Sequence, residues 1–213
     1  MEYELFRSKR KTIAIYVRDG RVIVRAPMRV PAREIDSFVI SKSAWIEKHL
    51  ASQAQRTVFK PDYGSVILFL GGEYRIESYR GDNTLYMPPG LNHDRIQKNL
   101  VRFYRDHARA HIEERVGYYS KLMNVKPSGV RIGSAKKSWG SCTSKGRLTF
   151  SWRLMMAPPE AIDYVVVHEL AHLKQLNHSK KFWAIVSDII PDWKDRRNEL
   201  RLLQKRLSNE VWD

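Results

Sequence analysis

The sequence has a single cysteine among its 213 residues, Cys142, and no long apolar run. One cysteine excludes an internal disulfide and is typical of a protein in a reducing compartment. Apolar runs such as Val66 to Leu70 have the length of a strand, whereas a membrane-spanning helix needs about 20 apolar residues. The first ten residues also lack the apolar segment of a signal peptide, so we expect a cytoplasmic protein without a membrane span.

Acidic residues are too few to balance the basic ones: 23 Asp and Glu stand against 38 Lys and Arg, which gives a net charge of +15. Such an excess favours polyanions or acidic partners through long-range attraction. The basic residues are spread along the chain, so the charge does not choose among nucleic acid, nucleotides and acidic proteins. A basic surface with no specific ligand explains it equally well.

The stretch His168-Glu169-Leu170-Ala171-His172 carries the clearest chemical signal. Residues four apart lie on the same face of a helix, so the two imidazoles can bind one metal ion. Glu169 can then stand beside the open coordination position. This is the H-E-x-x-H pattern of zinc hydrolases, in which the glutamate is the general base for a metal-activated water.

His178 follows His168 by ten residues, the spacing at which metzincins supply a third ligand. Three ligands with an open fourth position are typical of a catalytic zinc site. Gln175 stands where metzincins have glycine, and we predict Asn177 as the left-handed residue that ends the helix and turns the chain back. A chance match without metal stays open, because the motif fixes only three of five positions.

The pattern of apolar residues predicts an α+β fold with β sections and helices in alternation. We divide it into an N-terminal β-rich section with one helix, residues 1–92, and a metal-binding section, residues 93–213. The predicted elements are a hairpin with strands at 13–18 and 21–26 around Asp19-Gly20, a helix over 31–54, strands between 66 and 87, a helix over 94–123, strands between 129 and 153, and helices that begin near 159, 179 and 193.

Several motifs resemble those of the YgjP-like metallopeptidase domain family, which is related to SprT-like and WLM zinc proteases. They are Trp139-Gly140-Ser141-Cys142, Trp152-Arg153-Leu154, the stretch from Tyr164 to His172, Asn177-His178-Ser179 and Phe182-Trp183. The resemblance implies a zincin-like domain with a small antiparallel sheet packed against the metal-binding helix. It also implies zinc bound by His168, His172 and His178, with Glu169 as the catalytic acid–base. Ser138 and Ser151 differ from the family pattern.

Three functions remain open at this stage. The first is a zinc-dependent peptidase acting on a peptide or protein, with an edge strand near Trp139 available to an extended substrate. The second is a metal-dependent nucleotide phosphoanhydride hydrolase, although the chain has no glycine-rich phosphate loop. The third is a protease that acts on DNA-bound protein and contacts nucleic acid through its basic surface.

Three further candidates are weaker. Cys142 is a small buried residue, a reactive thiol or an inhibitory metal ligand, and the first is favoured. Tyr164 is favoured as a core residue over a pocket residue. His107 and His111 are also four apart, but neighbouring arginines argue against a second metal site.

Overall fold

The computed structural model describes residues 2–18, 20–54, 57–208 and 210–211. The described chain divides into two compact units, residues 2–58 with 210–211, and residues 59–208. Residues 59–92 therefore group with the metal-binding section, whereas the sequence analysis placed them with the N-terminal section. No helix of the described residues has the length and apolar character needed to cross a bilayer.

The N-terminal unit is a three-stranded sheet with two helices on one face. Its elements are β1 (Glu4–Ser8), β2 (Ala14–Arg18), β3 (Arg21–Pro27), α1 (Ala32–Ser41), α2 (Ser43–Ala54) and β4 (Thr57–Val58), the last of which pairs in parallel with β11 (Glu210–Val211). The sheet order is β1-β3-β2, with β2 antiparallel and β1 parallel to β3. Its core consists of Val22, Val24, Ala26, Ile35, Val39 and Ile46.

The predicted hairpin is confirmed as β2 and β3, and Gly20 in its turn has a φ of +73°. Asp19 lies outside the described residues. The single helix predicted over 31–54 is two helices, because the chain leaves helical geometry at Lys42 with φ −110° and ψ 10°. Strand β1 was not predicted: all five of its residues are exposed, so no buried alternation marks it.

The second unit begins with a small mixed sheet and a long helix. Its first elements are β5 (Val66–Phe69), β6 (Gly72–Glu77), β7 (Thr84–Tyr86) and α3 (His93–Leu122). The tight turn between β5 and β6 lies at Leu70 and Gly71, and both have positive φ. In α3, Asn92 caps the N-terminus by accepting a hydrogen bond from the backbone N–H of Arg95.

One face of α3 forms the centre of the larger core, because its buried residues recur every three or four positions. They are Ile96, Leu100, Tyr104, Ala108, Ile112, Val116 and Tyr119. The elements that follow are β8 (Gly129–Gly133), β9 (Gly140–Cys142), β10 (Arg147–Ser151), a 3-10 helix (Trp152–Met156), α4 (Pro159–Ala171), α5 (Lys180–Ile189) and α6 (Trp193–Leu207).

Helix α4 is buried along most of its length and contacts α3, α5, α6 and β9. Pro159 opens it, a position where the missing N–H costs nothing. Strand β9 is an edge strand of the sheet β8-β10-β9 and was not predicted as a separate strand. The α+β fold class is confirmed, but this sheet is mixed rather than antiparallel, because β8 runs parallel to β10.

Candidate metal centre

Three histidines converge at the C-terminal end of α4. His168 lies in its last turn, His172 directly follows it, and His178 lies in the loop that leads to α5. One ring nitrogen from each histidine lies within 4.8 Å of the other two, and no other such cluster occurs among the described residues. The structure thus brings together all three histidines that the sequence singles out.

The spacing of the ring nitrogens fits a small tetrahedral ion. Nε2 of His178 lies 3.0 Å from Nε2 of His168. Two nitrogens at zinc–nitrogen bond length from a tetrahedral zinc lie about 3.3 Å apart. This pair is therefore within a few tenths of an ångström of the separation that two ligands of one such ion would have.

The loop after α4 holds His172 through its backbone. The carbonyl oxygen of Gln175 lies 3.3 Å from Nδ1 of His172, which can donate its N–H to it. This bond leaves Nε2 of His172 free as a ligand atom, an arrangement that metal-binding histidines commonly show. Position 175, where metzincins have glycine, contributes its backbone carbonyl to this contact, so a glutamine is accommodated there.

The prediction for Asn177 is wrong. Helix α4 ends at Ala171, six residues earlier, and Asn177 is not among the residues with positive φ. Its side-chain oxygen instead accepts hydrogen bonds from Nε2 of Gln175 at 2.8 Å and from the backbone N–H of Ser179 at 3.3 Å. Asn177 therefore closes the loop through its side chain, not through its backbone.

Aromatic rings from α5 surround the cluster. The ring of Phe182 lies 4.7 to 4.9 Å, centroid to centroid, from all three imidazoles. Trp183 stacks on His178 at 5.7 Å and on Trp193 at 4.2 Å. Trp183 also lines the larger cavity beside the cluster. Its role could be anticipated only from its closeness in sequence to His178.

The surroundings of His168 and His172 favour the neutral imidazole, the form that binds metal. Burial lowers the pKa of His168 to about 3, helped by the nearby charges of His172, His178 and Arg197. Burial also lowers the pKa of His172. Protons therefore compete weakly for these two rings near neutral pH.

Glu169 lies beside the cluster, buried with 5% of its surface exposed. Burial raises the pKa of its carboxyl to about 7. Strand β9 passes so close that a Cβ on Gly140 would lie 2.7 Å from Oε1 of Glu169. Only glycine fits there without displacing the carboxyl group.

Two cavities open on either side of His168 and Glu169. The smaller, about 280 Å³, is lined by β9 together with His172, Leu176 and His178. The larger, about 510 Å³, is lined on one side by the cationic side chains of Lys137, Arg197 and Arg201. Among the described residues that line the two cavities, Glu169 is the only acidic one. Arg197 and Arg201 come from α6, and no sequence pattern links this helix to the H-E-x-x-H motif.

The structure also locates the three weaker candidates and the two serines that differ from the family pattern. Cys142 lines the smaller cavity, but its Sγ donates to the carbonyl of Thr143 and it is not one of the clustered groups. Tyr164 is both buried and part of the larger cavity wall. His107 faces the carbonyl of Phe103 on an exposed part of α3. Ser151 is buried and donates to the carbonyl of Ala135, whereas Ser138 is exposed.

A buried glutamate beside three clustered imidazoles, on an α+β fold, is typical of metal-dependent hydrolases. Within that class, the chain belongs to the YgjP-like metallopeptidase domain family, whose model matches residues 11–202. The match covers nearly the whole chain and confirms the resemblance seen in the motifs. Membership of this family implies a divalent metal.

Two known proteins show more distant similarity. The UTP pyrophosphatase of Escherichia coli (strain K12) is 25% identical over 138 residues, which cover 62% of this chain and 83% of that protein. The crystal structure of the metallopeptidase zymogen of Pyrococcus abyssi abylysin is similar with a TM-score of 0.40 and 26% identity, covering 44% of this chain and 93% of that one.

Proposed function

We propose that the protein is a zinc-dependent peptidase in which His168, His172 and His178 hold the metal and Glu169 is the general acid–base. One observation carries the proposal: a ring nitrogen from each histidine lies within 4.8 Å of the others, directly beside the buried Glu169. The donor set supports zinc, because three imidazoles and an open position are typical of its catalytic sites.

Zinc held by the three imidazoles would supply a Lewis acid for the scissile carbonyl and would lower the pKa of a water to near neutral. Glu169 would accept a proton from the attacking water and pass it to the leaving amine. A carboxyl with a pKa of about 7 is suited to both steps, because it gains and loses a proton easily at neutral pH. Phe182 and Trp183 pack against the imidazoles and would hold their rings in place.

Strand β9 supports a peptide as substrate. It is the edge strand of its sheet, and its residues Gly140, Ser141 and Cys142 line the cavity next to Glu169. An extended peptide can add to such an edge through backbone hydrogen bonds. Its scissile bond would then lie between the two cavities.

The test compares the wild type with Glu169→Gln in metal analysis and in cleavage of a mixed peptide library. We expect about one zinc per chain in both proteins. Loss of a general base lowers turnover about 100- to 10,000-fold. Glu160→Gln is the matched control, because Glu160 is an exposed residue in the first turn of the same helix. Full cleavage by Glu169→Gln would exclude the proposed role.

A second candidate is hydrolysis of a nucleotide phosphoanhydride by the same centre. Lys137, Arg197 and Arg201 line the larger cavity, and arginines are well suited to bind phosphate oxygens. The similarity to a UTP pyrophosphatase also favours it. UTP turnover that is lost in Glu169→Gln, and whose KM rises at least tenfold in Arg201→Gln, would favour this candidate over the peptidase.

The location that we propose is the cytoplasm. Its support is the single cysteine, which suits a reducing compartment.

A further inference from the structure

The sheet of the N-terminal unit has one buried and one open face. On β3, Val22, Val24 and Ala26 are buried in the core of the unit. Successive side chains of a strand point to opposite faces, so Arg21, Ile23 and Arg25 lie on the other face. The open face is thus formed by these three residues and by the residues of β1 and β2 that point to the same side of the sheet.

The strand register gives the composition of this open face. Phe6 and Ala14 flank Arg25, whereas Glu4 and Tyr16 flank Ile23. Arg18 pairs with Arg21 at the end of the sheet. The open face therefore consists of Glu4, Phe6, Ser8, Ala14, Tyr16, Arg18, Arg21, Ile23 and Arg25.

Two aromatic rings, Tyr16 and Phe6, lie on the open face next to arginines. The Cζ atoms of Arg18 and Arg25 lie over the Tyr16 ring, 5.5 and 5.6 Å from its centroid. Phe6 stands beside Arg25 in the register and is 53% exposed. Aromatic rings beside cations on an open sheet face offer flat surfaces on which bases can stack.

The charge of this face is strongly positive. Arg18, Arg21 and Arg25 stand against one acid, Glu4, which pairs with Arg21 at 3.4 Å. The imbalance extends to the first 58 residues, where 12 Lys and Arg face 6 Asp and Glu. The face therefore attracts an anionic partner. Phosphate groups alone would not use its aromatic rings, so the partner should also carry flat groups that stack on them.

We propose that the open face of the sheet β1-β3-β2 binds single-stranded nucleic acid, with unpaired bases stacked on Tyr16 and Phe6 and phosphates paired with Arg18, Arg21 and Arg25. Sheets that carry exposed aromatics beside basic residues bind single strands in this way. A duplex buries its base faces and offers these rings nothing to stack on. The proposal does not depend on the metal centre, because none of these residues belongs to it.

The test measures binding of the full chain to a fluorescent 20-nucleotide oligo-uridylate by anisotropy. Stacking of one base contributes about a 5- to 100-fold gain in affinity, so Tyr16→Leu is expected to weaken binding by that factor. Tyr16→Phe keeps the ring and is expected to bind as the wild type does. Thermal melting of each variant checks that the unit is folded.

Charge variants test the second half of the proposal. Arg25→Gln removes one phosphate contact, so the slope of log affinity against log salt falls by about 0.7 and binding at 0.1 M salt weakens about fivefold. Arg33→Gln is the matched control: it removes the same charge from the exposed first turn of α1, and it is expected to change affinity less than twofold. Glu4→Gln is expected to tighten binding two- to threefold, a gain that misfolding cannot produce.

Three outcomes would overturn the proposal. The first is no saturable binding below 0.1 mM. The second is equal losses for Arg25→Gln and Arg33→Gln with no effect of Tyr16→Leu, which would indicate a general polyanion surface. The third is equal affinity for a 20-base-pair duplex, which would exclude stacking as the basis of recognition.

Discussion

A Cβ atom on Gly140 would lie 2.7 Å from Oε1 and Cγ of Glu169, closer than non-bonded atoms tolerate. Strand β9 and the Glu169 carboxyl group are therefore in close contact, with no room for a side chain between them. Both atoms belong to rigid parts of the structure, since β9 is paired with β10 and Glu169 is buried in α4. Any side chain at position 140 must move one of them.

Gly140→Ala is the first prediction. We expect it to displace the Glu169 carboxyl, to lower kcat at least tenfold and to cost about 1–3 kcal/mol of stability through overpacking. Metal content should stay at the wild-type level, because the three atoms nearest the added Cβ all belong to Glu169 and none to an imidazole. Gly129→Ala in β8 is the control, since a Cβ there meets nothing within 4 Å. Unchanged kcat in Gly140→Ala would mean that Glu169 has room to move.

Removal of one imidazole is the second prediction. His178→Ala should lose bound zinc and the rise in melting temperature that zinc gives the wild type. At a zinc concentration 100 times the Kd, that stabilisation is about 2.7 kcal/mol. His107→Ala removes an exposed histidine of α3 and should keep both properties. Equal zinc content in the two variants would exclude His178 as a ligand.

The third prediction concerns the metal-free protein. The pKa of Glu169 is raised from 4.5 to about 7 on folding, so the folded state binds more protons than the unfolded one between these values. Stability therefore falls as pH rises through this window, by on the order of 3 kcal/mol at most. Glu169→Gln has no carboxyl group to ionise, so its stability should not fall in this way. In urea titrations with EDTA, the variant should match the wild type at pH 4.5 and exceed it at pH 8; a constant difference would contradict the raised pKa.

The ion pair between Arg115 and Asp163 leads to the fourth prediction. Two guanidinium nitrogens lie 2.6 and 2.7 Å from the carboxylate, and Tyr119 donates to it at 3.0 Å, so α3 and α4 are joined at a half-buried point. Asp163→Asn should cost about 2 kcal/mol, below the range for a fully buried pair. Asp106→Asn breaks the exposed pair with Arg102 and should cost under about 0.5 kcal/mol. Urea unfolding measures both.

The metal motif could be predicted from sequence because its geometry is local. His168, Glu169 and His172 are fixed by helical periodicity, and His178 follows within one short loop. The lengths of α3 and α6 were also predictable, because their apolar residues keep a helical period. The assignment of these four residues as ligands and base stays a prediction until a metal is measured.

Other parts of the site depend on packing between distant segments. Arg197 and Arg201 reach the larger cavity from α6, and Gly140 reaches Glu169 from β9. Contacts between segments that are far apart in the chain leave no pattern in the local sequence. The prediction for Asn177 was wrong for a related reason: asparagine closes turns either by a left-handed backbone or by its side chain, and the sequence does not distinguish the two.

The loop that carries His178 turns without any residue of positive φ. The backbone of this loop therefore sets no restriction on the side chains at its exposed positions Lys174 and Leu176, since what holds His172 is a main-chain oxygen. Leu176, at 73% exposure, stands on the rim of the smaller cavity. A substitution at position 176 would thus reshape the mouth of this cavity while the three imidazoles stay in place.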